Sequence, residues 1–375
     1  MKKIFYWSPL ISNIATRKAV INSAISLVKY SKDYKISLLN VVGEFNDVKK
    51  GILNLEVIDW SKNNFFQKLP SKGFLKSRIS FIYIFFSKFF LLMNIIKKQN
   101  PDFLIVHLIT SLPMFLFLIF NFNTRCILRI SGYPQMNFIR YLFWKICSKK
   151  IYKITCPTIN TLNYLKNLNI FDHDKLVLLS DPIIQISSIV KNNKSNNLSK
   201  EKYIFAAGRL TKQKNFDFLI KAFNQVSKIN NNLKLYIAGE GEEENRLKKL
   251  VQKLGLRDKV LFLGFKDNII DYMRNCELFV LSSLWEDPGF VLIEAAYARA
   301  NILSSDCQSG PIEFLENGKC GFVFKSNNLD DFLTQYKKTL DTTDNVKKIK
   351  KVNALKSLKK FTIFNHFKEL NKILK

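Results

Sequence analysis

Short apolar runs alternate with amphipathic stretches along almost the whole chain, and this alternation constrains the fold more than any other feature. Strand-like runs fall at 4–7, 35–42, 53–58, 103–107, 125–130, 152–156 and 176–179, with helical patterns at 16–30, 112–120, 137–149 and 158–168 between them. After the polar, aperiodic stretch 191–200 the pattern resumes. Strands are predicted at 203–207, 233–238, 260–263, 278–281, 301–304 and 321–324, and helices at 216–229, 242–254, 269–274, 291–300 and 312–317. Strands this short, joined by helix-length crossovers, read as βαβ units and hence as parallel sheets, so the fold class is α/β. A length of 375 residues favours two domains. The boundaries expected are 1–190 for the first domain, 191–201 for a linker and 202–340 for the second domain. A lysine-rich helical tail, 341–375, is expected to cross back onto the first. No internal repeat of 20–50 residues interrupts this reading.

Net charge is +29 with a pI near 9.8, a balance that raises nucleic acid or an anionic membrane as partner. Lys, Asn, Ile, Phe and Tyr are abundant while Arg and Gly are scarce, so part of the lysine reflects an AT-rich coding bias. The distribution is more informative: residues 1–200 carry 29 basic and 9 acidic side chains, and 201–375 carry 30 and 21. The excess sits with the Phe-rich first half, as expected of a protein docking on anionic lipid headgroups. No nucleic-acid motif accompanies it, and nucleic acid is set aside. Two apolar segments, 79–96 and 103–120, approach the length of a membrane span. Lys88 sits at the centre of the first, with Ser80 and Ser87 beside it, and an amphipathic or interfacial role is the expectation for 81–92. The second is opened by Pro101-Asp102 and broken by His107, Thr110, Ser111 and Pro113, so it divides into a strand and a helix. Six scattered cysteines without a C-x-x-C pair indicate neither a disulfide framework nor a zinc site. Met1-Lys2-Lys3 precedes an apolar run too short for a signal peptide, and a cytoplasmic protein is expected.

The chemistry is expected where the run at 278–281 gives way to the helix at 291–300. Between them lie Trp285-Glu286-Asp287-Pro288-Gly289-Phe290, and Glu294 follows Glu286 by eight positions. Two carboxylates so placed can accept hydrogen bonds from several ligand hydroxyls, or serve only as a helix cap and a solvated glutamate. The turn after 203–207 reads Gly208-Arg209-Leu210-Thr211-Lys212-Gln213-Lys214, where Gly208 permits chain reversal and Arg209 and Lys214 suit a diphosphate. Gly239-Glu240-Gly241 lacks the third glycine of a dinucleotide fingerprint and opens an acidic helix, so it reads as a structural turn. Ser309-Gly310-Pro311-Ile312-Glu313 opens another helix, whose N–H groups could hold a phosphate. Asp172-His173-Asp174 matches a D-x-D motif by letter but lacks supporting ligands. His107 ends a strand of the first domain and is either a structural histidine or part of a site.

Taken together, Gly208-Arg209…Lys214, Gly264-Phe265, Glu286…Glu294 and Gly310-Pro311-x-Glu313 resemble the family-4 retaining glycosyltransferases, with Trp285–Phe290 similar to the members that build bacterial O-antigens and capsules. The motif resemblance covers roughly 203–325; the first half is similar more loosely, through Ser8-Pro9, His107 and Ser131-Gly132-Tyr133. It implies a GT-B fold of two facing Rossmann-like domains with a nucleotide-sugar donor, UDP-linked, in the cleft. Arg209 and Lys214 would bind the diphosphate, Glu294 the ribose, and Glu286 the transferred sugar. Gly208, Gly289, Phe290 and Gly310 would bring backbone to sugar or phosphate, Phe265 would lie by the base, and His107 would approach the sugar from the acceptor domain. The acceptor implied is a polyprenyl-diphosphate-linked glycan in surface polysaccharide synthesis at the inner membrane's cytoplasmic face, with no metal or other cofactor. The family's Gly-Gly loop is replaced here by Ser12-Asn13-Ile14-Ala15-Thr16. A nucleotide-sugar 2-epimerase and a non-catalytic sugar- or lipid-binding module are the alternatives on the same fold.

Overall fold

The computed structural model describes residues 1–9, 15–48, 51–61, 74–130, 132, 134, 136–185 and 201–375. They form two compact units, Met1–Ile183 with Phe361–Lys375, and Ile184–Lys360.

In the first unit the chain runs β1 (Lys2–Trp7), α1 (Ala15–Tyr30), β2 (Tyr34–Asn40), β3 (Leu55–Asp59), α2 (Phe74–Gln99), β4 (Phe103–Val106), α3 (Ser111–Ile119), β5 (Arg125–Arg129), α4 (Phe138–Cys147), β6 (Ile151–Cys156), α5 (Ile159–Asn167) and β7 (Leu176–Leu178). The seven strands make one parallel sheet of order β3-β2-β1-β4-β5-β6-β7. Its central strands are apolar on both faces, as a sheet covered by helices on each side requires. Ile4 and Tyr6 of β1 enter one core with Val20 and Leu27 of α1, while Phe5 and Trp7 enter another with α2, α3 and α4. This division follows from the two-residue period of a strand.

The helix α2 is 26 residues long, and its part Ile79–Gln99 is long and apolar enough to cross a membrane, with a mean hydropathy of 2.0 and only 28% of that window buried. Ser80, Ile84, Lys88, Leu92 and Ile96 face the domain. The Lys88 ammonium is buried and donates to the Trp60 carbonyl at 2.8 Å, and burial lowers its pKa. The apolar run at 103–120 divides into β4 and α3, as its polar breaks foretold.

In the second unit the order is β8 (Tyr203–Ala207), α6 (Phe216–Ile229), β9 (Lys234–Ala238), α7 (Glu244–Lys253), β10 (Val260–Gly264), α8 (Ile269–Asn275), β11 (Leu278–Leu281), β12 (Trp285–Glu286), α9 (Phe290–Tyr297), β13 (Ile302–Ser305), β14 (Gln308–Ser309), α10 (Gly310–Phe314), β15 (Phe322–Phe324), α11 (Leu329–Asp341) and α12 (Asp344–Ser357). Six strands form a second parallel sheet, β10-β9-β8-β11-β13-β15, and β12 pairs with β14 in a ladder of two residues each. The helix α12 packs on α9. The last helix, α13 (Ile363–Leu374), instead belongs to the first unit, where Leu370, Ile373 and Leu374 join the α1 core. There the His366 imidazole meets Ser23 Oγ at 2.8 Å through Nε2 and the Ser180 carbonyl at 2.8 Å through Nδ1.

Candidate functional site

Each sheet changes its direction of growth once. In the second unit β9 and β10 lie to one side of β8, and β11, β13 and β15 to the other. The loops leaving β8 and β11 therefore diverge, opening the crevice where open α/β sheets bind ligands. Gly208, Arg209 and Lys214 lie on the loop after β8, and Glu286 and Gly289 on the stretch after β11.

Hydrogen bonds zip the loops together. Leu284 N donates to Gln213 O at 2.8 Å, Gln213 Nε2 to Trp285 O at 2.8 Å, and Ser282 Oγ to Lys214 O at 2.9 Å. Lys214 lies over Gly208, where a Cβ would stand 2.9 Å from its Cε, and its ammonium pairs with Glu286 Oε1. Both side chains are largely buried, at 11% and 7% exposure. Burying two charges costs several kcal/mol per ion, recovered only with good geometry and further hydrogen bonds. One such bond is present: Ser283 Oγ donates to Glu286 Oε1 at 2.6 Å, and the Ser283 carbonyl accepts from Ser305 Oγ at 2.7 Å.

Glu286 is fixed from the other side by the β12–β14 ladder, which pairs it with Ser309. Gly289, at φ +90°, precedes the first turn of α9, a backbone state that glycine reaches at little cost. Phe290 begins that helix, and Glu294, half-buried, stands one turn further in. Gly310 opens α10, and a Cβ there would lie 1.9 Å from the Pro288 carbonyl oxygen. Its smallness is thus required by backbone packing of the turn that carries Glu286.

The remaining candidates divide. Arg209 is exposed at the end of β8, and Phe265 is 64% exposed at the end of β10. Gly239 and Gly241 underlie the β8 loop, since a Cβ on either would strike the Gly208 or Leu210 carbonyl oxygen at 1.9 and 2.3 Å. That is the structural role expected of them. Asp172 is ion-paired with Lys175 at 3.2 Å, and Asp172-His173-Asp174 lies at a short 3₁₀ turn before β7. Sequence reasoning passed over Ser283, Ser305 and Gln213. The adjacent serines before an acidic turn were the only signal for the first of these.

In the first unit the change of direction falls between β1 and β4. Ser8 and His107 follow those two strands, both buried, and among the described residues neither Ser8 Oγ nor His107 Nε2 has a hydrogen-bond partner. Burial, then the neighbouring Arg129 and His366, push the His107 pKa well below its ordinary value, so the ring is neutral near pH 7. Tyr6 stacks on it at 6.0 Å between centroids. Residues 12–14 of the substituted glycine loop, and Ser131 and Tyr133, lie outside the described residues; Ala15 and Thr16 open α1.

Residues 188–355 match the family described as glycosyl transferases group 1. An uncharacterized glycosyltransferase of Methanocaldococcus jannaschii is 32% identical over 252 residues, 60% of this chain and 60% of that protein. The N-acetylgalactosamine-N,N'-diacetylbacillosaminyl-diphospho-undecaprenol 4-alpha-N-acetylgalactosaminyltransferase of Campylobacter jejuni is 27% identical over 231 residues, 59% of this chain and 62% of that protein. The chain thus spans about three-fifths of the length of these two relatives. Anabaena HepE in complex with UDP superposes over 100% of this chain and 99% of its own at a TM-score of 0.72 and 14% identity. Likeness at that identity shows the fold, which is GT-B: two parallel-sheet α/β domains.

Proposed function

We propose that the chain moves a sugar from a nucleotide-sugar donor, a UDP-hexose or UDP-N-acetylhexosamine, to a lipid-linked glycan with retention of configuration. The observation that carries this reading is the Lys214–Glu286 pair, held by Ser283 at the carboxyl ends of β8 and β11. Breaking the sugar–phosphate bond leaves negative charge on the diphosphate. Arg209, exposed at the end of β8, and Lys214, 11% exposed, supply N–H donors for that charge without a metal ion. Donors that strengthen as charge develops are worth about 10²–10³-fold in rate each. In this reading Glu286 orients Lys214 and accepts a sugar hydroxyl through its second oxygen, while Glu294 takes the ribose hydroxyls. Phe265 offers an exposed ring face to the base. In the first unit, His107 Nε2, neutral and without a partner among the described residues, offers one hydrogen bond to a ligand.

The resemblance to retaining family-4 enzymes supports retention and the absence of metal. The C. jejuni relative's undecaprenol-linked substrate and the UDP bound to HepE support the acceptor and donor classes. A role in bacterial surface polysaccharide synthesis, in the cytoplasm against the inner membrane, follows from the same reading. The test is a screen of nucleotide-sugars with lipid-linked glycans, reading released UDP or GDP. Release abolished by Arg209→Ala and by Glu294→Gln is the expected outcome. Sugar consumed without nucleotide release or glycan product would transfer the site to 2-epimerisation, and no consumption of any donor would make it a binding module.

A further inference from the structure

Three helices cover one face of the first sheet, and two of them are apolar on the side where a solvated helix is polar. The inner sides of α2, α3 and α4 share one core, through Ile84 and Leu92, Leu116 and Phe117, and Trp144 and Cys147. On the outer side of α2, Ile82, Phe86 and Phe90 are 59%, 71% and 67% exposed. On α4, Phe138 and Ile139 are 79% and 77% exposed, and Leu142 is 46% exposed. Spacings of three and four residues gather each set into a stripe along its helix. α3 packs against both helices, so the stripes belong to one layer. Scattered exposed apolar residues are ordinary, but a clustered set on neighbouring helices marks a surface that something covers.

Charge identifies the occupant. None of the three helices carries an Asp or a Glu. Lys97 and Lys98 close α2, Arg140 and Lys145 lie within α4, and Lys149 and Lys150 follow it. Apolar stripes on helices that carry basic but no acidic side chains suit an interface of acyl chains beneath anionic headgroups. The helix α2 does not leave the domain to span that bilayer, because the Lys88 ammonium at its middle is buried and bonded to the Trp60 carbonyl at 2.8 Å. Its inner side, through Ile84, Leu92 and Ile96, stays in the core.

We propose that the outer side of the α2–α3–α4 layer docks on an anionic phospholipid bilayer. Ile82, Phe86, Phe90, Phe138, Ile139 and Leu142 enter the acyl boundary, and the flanking lysines and arginine meet the headgroups. This assignment stands apart from the donor site, since it is read without any nucleotide-sugar. The purified full chain is sedimented with vesicles of phosphatidylcholine, alone or with one-third phosphatidylglycerol, at low and high salt. Wild type is expected to pellet with the anionic vesicles in a salt-sensitive manner. The variant Phe86→Ser/Phe90→Ser/Phe138→Ser/Ile139→Ser is expected to bind roughly tenfold or more weakly at an unchanged Tm. Equal pelleting of variant and wild type overturns the proposal. So does a wild-type dimer in ultracentrifugation that the variant loses, since a second copy would then be the occupant. Should the variant fold poorly, Phe86→Trp alone decides: emission that shifts to the blue and is quenched by brominated lipid supports docking, and emission unchanged by vesicles refutes it.

Discussion

Lys214→Ala separates the two jobs assigned to the lysine, because it removes a diphosphate donor and also strands a buried carboxylate. Glu286 is 5% exposed and keeps only the 2.6 Å hydrogen bond from Ser283 and its place in the β12–β14 ladder. Removing one partner of a buried pair costs about 3–5 kcal/mol. For a domain of this size each kcal/mol shifts Tm by about 2–4 °C, so Lys214→Ala should melt roughly 6–20 °C lower. Adding Glu286→Gln removes the stranded charge while keeping an acceptor for Ser283. The double variant should therefore regain about 2 kcal/mol over the single one. Turnover must not follow stability. Nucleotide release in both variants should stay about 10²–10³-fold down, because the developing phosphate charge has lost its donor. Calorimetry on wild type, both singles and the double gives the coupling energy, and a nucleotide-release assay gives the rate. A coupling below about 0.5 kcal/mol would refute the pair, and turnover recovering with Tm would reduce Lys214 to a structural role.

Two further outcomes follow from the same structure. Gly310→Ala puts a methyl 1.9 Å from the Pro288 oxygen, whereas Gly255→Ala meets open space and only the strain of φ +69°. The first should cost well over the ~1 kcal/mol expected of the second, and should weaken donor binding in titration because the Glu286 turn must shift. The second outcome concerns acid. Burial depresses His366 from 6.5 to about 3, so the unfolded chain binds the proton first as pH falls. The stability it contributes is complete above pH 6.5 and is lost progressively towards pH 3, up to about 5 kcal/mol. His366→Gln should flatten that part of the urea-midpoint profile, with buried His107 leaving a residue of the same sign. Glu44, raised by burial to about 7, runs the other way and costs stability as pH rises from 4.5 to 7. A profile unchanged by His366→Gln would show that its ring is wet.

Long periodic elements were legible to the residue: 203–207, 216–229 and 278–281 coincide with β8, α6 and β11. Short ones were not. The two-residue ladder of β12 and β14 has too few positions to show a period, so its stretch read as a plain turn. The tail illustrates another limit. Sequence shows that 341–375 is helical, but which core each helix joins depends on contacts such as His366 to Ser23, which are 343 residues apart. Gly310 was legible as a position needing glycine, whereas what demands it, the Pro288 carbonyl, is a contact made across the fold.

What sequence could not convey about the site is that two of its residues spend their charge on each other. Read apart, Lys214 suggests a phosphate ligand and Glu286 a sugar ligand; placed together, they form a pair whose two ends remain usable. Lys214 has three N–H donors and gives one to Glu286, and Glu286 has a second oxygen beside the one that Ser283 and Lys214 share. The pairing, with Ser283, fixes the position of both groups before any ligand arrives. The serines at 283 and 305 belong to the same device, because they hold the oxygen that holds the lysine.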